Sequence, residues 1–283
     1  MSGDGDTAEI PRPERTVTGG WPQAVLVLAV LYFAAGWAGH ALGIPRGGTP
    51  GVWPASGVLV AMLLLNPPRF WPALLAAAFA VQMAGDVLLS GFAPGEAARL
   101  GLPRLIEAAA GAGLVRFAIG GAFRHHALPS FFVLFVLAGL VATGFGAIAG
   151  ALLHSAGPFG DVVRNWWTAD AVGVLVMAPA VIAWGNIRRD EAWSAQQSRA
   201  AELAGVLIAT VILAQIVLGR VAVPGLSAIG FPYLLFPLLG WLALRGPMAL
   251  SVTAAAAVAG IAAANVAYGD SPFLLAGRGT VDQ

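Results

Sequence analysis

Apolar residues in this chain fall in long blocks instead of short alternating runs, and polar residues gather between the blocks. Blocks of about 17–25 residues match the hydrocarbon core of a bilayer, where every backbone N–H and C=O must be bonded within its own segment. The pattern predicts helices over residues 21–42, 52–65, 70–89, 103–123, 129–153, 166–184, 202–221, 231–244 and 247–268. The second and eighth, at 14 residues each, are short for a crossing. Between the second and third, Asn66-Pro67-Pro68-Arg69 makes a tight turn, because consecutive prolines cannot continue a helix. The expected fold is therefore all-α: a polytopic integral membrane helix bundle of about eight or nine transmembrane spans. Residues 1–20 form a polar tail, 21–276 the membrane domain, and 277–283 a short tail that is expected to precede an output domain. No small-residue cleavage site follows the first apolar block, so that block is expected to be a retained span.

Composition sharpens this picture. Hydrophobic residues make up 58% of the chain and charged residues 10%, against about 25% charged in a soluble domain. A net charge of +1 argues against nucleic acid as a partner. With no cysteine, structural disulfides, thiol catalysis and thiolate metal sites are excluded. No cofactor is implied. If the helices cross alternately, one side of the membrane carries Arg12, Arg15, Arg69, Arg124, Arg188, Arg189, Arg199 and Arg245. The other carries Arg46, Arg99, Arg164, Arg220 and Arg278, with Arg104 at its border. The positive-inside rule then puts the first side, and the N-terminus with it, in the cytoplasm.

Ionisable residues inside spans are expensive and mark functional sites by default. Here they collect toward one end of the expected helices. His40 ends the first, Trp53 opens the second, and Gln82 and Asp86 lie late in the third. Arg104 and Glu107 open the fourth, His154 follows the fifth, Trp166, Trp167 and Asp170 open the sixth, and Asn265 closes the ninth. The opposite half is nearly all Leu, Ala and Val. This asymmetry predicts a polar, aromatic-rimmed cavity facing the periplasm, with Trp53, Gln82, Asp86, Arg104, Glu107, Trp166, Trp167, Asp170 and Asn265 as ligand-binding candidates.

Each element also has a plainer explanation. Trp166 and Trp167 suit an interfacial aromatic belt. Arg104 and Glu107, three apart on one helix, suit mutual neutralisation, and Asp170 suits pairing with Arg164 or Arg104. His40 and His154 have no metal-ligand spacing. Gly146 and Gly150 read as a small-xxx-small packing pair, and Arg116 is expected to meet an acid on a neighbouring helix.

The order of these motifs resembles the bacterial membrane-associated sensor domain of the first type (the MASE family, type one). The resemblance is carried by Trp53-Pro-Ala-Ser-Gly57, Arg69-Phe-Trp-Pro72 and the Leu105-Ile-Glu107-Ala-Ala-Ala-Gly111 helix that ends near Arg116. It is carried above all by Trp166-Trp-Thr-Ala-Asp170-Ala-Val-Gly173 leading to Ala178-Pro179. Phe231-Pro232-Tyr233, Arg245 and Gly269-Asp-Ser-Pro-Phe273 extend it toward the C-terminus. Gln82 stands where the family often has Asn. The resemblance implies a sensory input domain of the bacterial inner membrane, joined to a cytoplasmic histidine kinase or cyclic-di-GMP enzyme and dimeric through that output. Its ligand would be an unknown small molecule or membrane signal. A small-solute transporter is the alternative, but it needs polar residues through the other half of the bundle, where Arg116 and Gln215 are almost alone. An intramembrane enzyme is weaker still, since no paired catalytic carboxylates, diiron or zinc spacing or Gly-x-Ser-x-Gly elbow occurs.

Overall fold

The computed structural model describes residues 20–42, 51–120, 123, 128–153, 157–187, 197–219 and 232–268. His154, Asp270 and most of the arginine-bearing connection after residue 187 lie outside the described residues. The described residues form nine helices and no strand: α1 (Trp21–Ala41), α2 (Pro54–Leu65), α3 (Trp71–Leu88), α4 (Pro94–Ile119), α5 (Leu128–Leu153), α6 (Phe159–Gly185), α7 (Ala200–Leu218), α8 (Leu235–Arg245) and α9 (Met248–Ala267). Proline stands in the first turn of α1 to α4, where its missing N–H has no helical partner to lose. Gly120, at φ 70°, closes α4 by donating to the carbonyls of Arg116 and Phe117.

Six helices are long and apolar enough to cross a membrane: α1, α3 (with its leading turn, Pro68–Leu88), α5, α6, α7 and α9. Length and composition by themselves thus support six crossings, not the expected eight or nine. The missing ones have separate reasons. The 26 residues of α4 suffice in length, but Glu96, Arg99, Arg104, Glu107 and Arg116 dilute its hydropathy. The 12 residues of α2 rise only about 18 Å, against about 30 Å of hydrocarbon, and α8 has 11.

These two short helices differ sharply in environment. In α8 only Leu235 and Leu242 are buried, whereas in α2 every residue from Pro54 to Leu64 is. The core of the protein is built around α2, with Leu28, Tyr32, Leu74, Leu134, Val174 and Ile182 packed about Val58–Leu64. Against α6 the approach is at backbone level. A Cβ on Gly57 would collide with the Gly173 carbonyl, and one on Gly173 with the Trp53 carbonyl. Small residues permit such close passage between helices.

A short helix leaves as many unbonded terminal carbonyls as a long one, and those of α2 end inside the protein. Asn66 Nδ2 donates to Met62 O (2.8 Å) and Trp71 Nε1 to Leu63 O (2.8 Å). Arg116 Nη2 donates to Leu64 O (3.3 Å) and Asn66 O (2.9 Å), its guanidinium lying over the Trp71 ring. A cation there also suits the negative end of the helix dipole.

The middle of α5, Leu134–Ala142, is wound as a π-helix. Where α-winding resumes, the Thr143 hydroxyl donates to Gly139 O (2.7 Å) and Trp167 Nε1 to Leu140 O (3.0 Å), supplying donors for carbonyls displaced from the regular ladder. Helices α7 to α9 pack among themselves and join α6 through a bond from Trp184 Nε1 to Thr253 Oγ1 (2.9 Å).

Two substitutions test this account of α2. Gly173→Val should lower stability by about 1–3 kcal/mol through overpacking. Arg116→Ala should cost about 1–3 kcal/mol by stripping a donor from buried carbonyls. Both would appear as a lowered unfolding temperature of the purified protein in nanodiscs. Gly205→Val, where a Cβ meets open space, should leave that temperature near its original value apart from helix propensity.

Candidate functional site

Most of the sequence-identified polar residues do converge. The C-terminal ends of α1 and α3 and the N-terminal halves of α2, α4 and α6 meet at one end of the bundle, because successive helices run in opposite directions. The join begins at backbone level, with Trp53 N–H donating to Ala169 O (2.9 Å). One turn further along, Ser56 Oγ donates to Asp170 Oδ1 (2.8 Å). Asp170 itself has 0% exposure.

Arg104 organises the centre. Its guanidinium lies over the Trp53 ring at 4.4 Å and the Trp166 ring at 4.7 Å, between two indoles. Its Nε is 4.0 Å from Asp170 Oδ1, an ion-pair distance too long for a hydrogen bond. Stacked cation–π contacts of this kind strengthen when water is excluded. Of the two partners expected for Asp170, the structure places Arg104 there, while Arg164 bridges the exposed Asp161 at 3.2 Å.

Glu107 forms no ion pair within 4.0 Å of Arg104. At 3% exposure it is buried against Gly146 of α5, and neither of its carboxyl oxygens has a hydrogen-bond partner among the described residues. Gly150, one turn on, seats the Trp166 ring: a Cβ there would come within 2.7 Å of it. The Gly146 and Gly150 pair is thus a packing surface, as its spacing suggests, and its partners are these two side chains. Among the described residues, Asp170 Oδ2 and the indole N–H groups of Trp53 and Trp166 also have no partner at full hydrogen-bond geometry. A buried polar atom without a partner costs roughly 1–3 kcal/mol, so such a concentration calls for a functional explanation.

A second arm runs along α1 and α3. Tyr32 Oη donates to Gln82 Oε1 (3.1 Å), and Gln82 Nε2 to Asp86 Oδ2 (2.8 Å). His40 Nε2 is 3.4 Å from Asp86 Oδ1, its Nδ1 is 3.4 Å from Ser90 Oγ, and its ring meets Trp53 edge-on at 5.0 Å. Trp53 thereby links both arms. Tyr32, Gly36 and His40 are spaced four apart and share one face of α1, and Gln82 and Asp86 share one face of α3, with Ser90 just past its end. That spacing is the signal the sequence carries for Tyr32, which lies in the middle of an apolar block and not at the polar end of its helix. Ser56 carried no signal of its own outside its motif.

Two candidates lie elsewhere. Trp167, adjacent to Trp166 and so turned about 100° around the helix, is 41% exposed and bonds to α5. Asn265 folds back onto Ile261 O (2.9 Å) near Gly219, just past the end of α7, and takes no part in the network. No group of three or more His, Cys, Asp or Glu suited to a metal ion occurs among the described residues.

A family profile, MASE1, matches residues 23–282, nearly the whole chain. The chain belongs to the MASE1 family. It is therefore a membrane-associated sensor domain with several apolar helices. No curated protein and no solved structure matches it. Within this MASE1 domain, the motif Trp166-Trp-Thr-Ala-Asp170 supplies one wall of the Arg104 clamp and the acid beside it. The motif Trp53-Pro-Ala-Ser56 supplies the other wall and the hydroxyl that holds that acid.

The clamp is testable by a double-mutant cycle with Arg104→Met and Trp166→Leu. Unfolding of the purified domain should give a coupling of about 0.5–2 kcal/mol. Zero coupling would mean that the ring does not hold the guanidinium.

Proposed function

We propose that this domain is the membrane-embedded input module of a bacterial signal-transduction protein, and that it detects its signal at the Arg104–Glu107–Asp170 cluster. One observation carries the reading. A buried, incompletely bonded charged cluster is attached to the N-terminal end of α2, whose C-terminal end is held near the opposite end of the bundle by Arg116 and Trp71. A ligand that satisfied Glu107 or Asp170 would favour one packing of α2 against α6 over another, which is the differential affinity that a conformational response requires.

The arginine bias favours an N-terminus in the cytoplasm of a bacterial inner-membrane protein, with the cluster toward the periplasm. In this arrangement α4 is a seventh crossing whose central charges turn inward, and α2 and α8 carry the chain between the two ends a further two times. The output is a cytoplasmic histidine kinase or cyclic-di-GMP enzyme, and the dimer forms through it. A transporter is less well supported, because the polar side chains at the end of α2 away from the cluster, Asn66, Trp71 and Arg116, are engaged with the carbonyls that end that helix.

Arg104→Ala, Glu107→Ala and Asp170→Ala should each leave the protein in the membrane at normal abundance. Each should reduce the stimulus-dependent change in kinase output or cyclic-di-GMP level, read in intact cells, by at least about tenfold, equivalent to roughly 1.4 kcal/mol of lost coupling. Collapse of abundance for all three would assign the cluster to structural pairing. Full signalling by all three would remove it from the signal path.

A further inference from the structure

The middle of α5 keeps a winding that its own backbone does not favour. A stretch bonded i→i+5 between α-helical flanks holds one residue more than α-winding would. Each side chain after it therefore stands about 100° around the axis and 1.5 Å along it from where an unbroken α-helix would put it. In α5 that stretch is Leu134–Ala142, and the α-wound residues Thr143–Leu153 follow it. The displaced part carries Gly146 and Gly150, which seat Glu107 and the Trp166 ring. Both of those side chains belong to the buried cluster.

Wound as α throughout, α5 would bring Phe145 to the place of Gly146 and Ala149 to the place of Gly150. Neither fits the cluster as it stands. Even a bare Cβ on Gly146 would collide with the Glu107 carboxyl, and one on Gly150 with the Trp166 ring. Rewinding thus expels both side chains, and the Phe145 ring, now 70% exposed, takes the place of Glu107. Two donors favour the present winding. The Thr143 hydroxyl bonds Gly139 O (2.7 Å) and the Trp167 indole bonds Leu140 O (3.0 Å). In an unbroken α-helix those carbonyls would take the N–H groups of residues 143 and 144 and would need neither donor. Trp167 neighbours Trp166 and lies along Gly144, its Nε1 3.5 Å from a Cβ built there.

We propose that α5 is a two-register switch. In one register it is π-wound, with Glu107 and Trp166 seated on its glycines. In the other it is α-wound, with Phe145 in the place of Glu107 and the Trp166 wall of the Arg104 clamp released. Trp167 is the latch of the first register: a positioning residue that acts on the cluster through α5. This deepens the sensory reading by naming the moving part, and it rests on that reading only for its consequence in the cell.

The test reads the rotation on the full chain, purified in nanodiscs, by distances between pairs of spin labels on introduced cysteines, since the chain has none of its own. Leu152, beyond the π-wound stretch, is paired with Leu88 of α3 and, separately, with Ile106 of α4. Leu128, before the stretch, is paired with Phe117 of α4 as the control. All five positions are exposed. A turn of about 100° carries a side chain at the helix surface about 8 Å. Trp167→Phe combined with Thr143→Val removes both donors. It should add a second distance, displaced by at least about 4 Å in one of the Leu152 pairs, and leave the Leu128 pair unchanged. Gly146→Ala should do the same with both donors intact. Its methyl is excluded by Glu107 now, but in the other register it stands where buried Ala147 stands. Deletion of Val136 removes the extra residue, so the donor-free variant carrying that deletion should return to the single original distance. The switch is overturned by unmoved Leu152 distances in both the donor-free and the Gly146→Ala proteins, by an equal change in the Leu128 pair, or by a second distance that survives the deletion. If the deleted chain fails to insert, the Gly146→Ala protein decides. Because distances are read on purified protein, lost signalling does not bear on them. One fixed register in every variant overturns the switch and leaves the cluster as the detection site.

Discussion

A helix of 12 residues held inside a membrane protein must have its terminal carbonyls bonded from outside itself, and the fold is organised around meeting that demand for α2. Asn66, Trp71 and Arg116 supply donors at its C-terminal end, while Trp53 and Ser56 tie its N-terminal end to α6. Arg104 and Arg116, both on α4, are separated by 12 residues, a rise of about 18 Å, which matches the length of α2. One charged helix can therefore serve both ends of the buried one. Part of the dilution of apolar character in α4 follows from this arrangement: Arg104 and Arg116 are spent on the interior.

The same geometry brings the charged groups together at the polar end. Two indoles, one guanidinium and two incompletely bonded carboxyl groups sit where α2, α4, α5 and α6 pass each other with glycine at the contacts. Close backbone packing of this kind tolerates little continuous deformation, which is why the proposed response is a shift of α2 against α6. The π-wound stretch of α5 lies along this contact, with Gly111 of α4 against Ala138 and Gly139 against Leu175 of α6. The α1 and α3 arm meets the same centre where the His40 ring touches Trp53.

What the sequence settled follows from local physics. Long apolar blocks require helices in a bilayer, prolines mark their starts, and rare charges in such blocks stand out at once; Asp86, Arg104, Glu107 and Asp170 were legible on that ground, Gln82, Trp53 and Trp166 as the polar and indole side chains beside them, and so was their gathering at one end. Three-dimensional packing decided the rest. It turned Trp166 inward and Trp167 outward, gave Asp170 to Arg104 and Ser56 instead of Arg164, left Glu107 without the partner three residues away, and kept Asn265 outside the network. It also made α2 the centre of the core and α8 a peripheral helix, although their lengths and apolar content are alike. Hydropathy records only the cost of exposing a residue to water or lipid. Which face of a helix is buried, and which donor reaches which carbonyl, depends on neighbours distant in sequence.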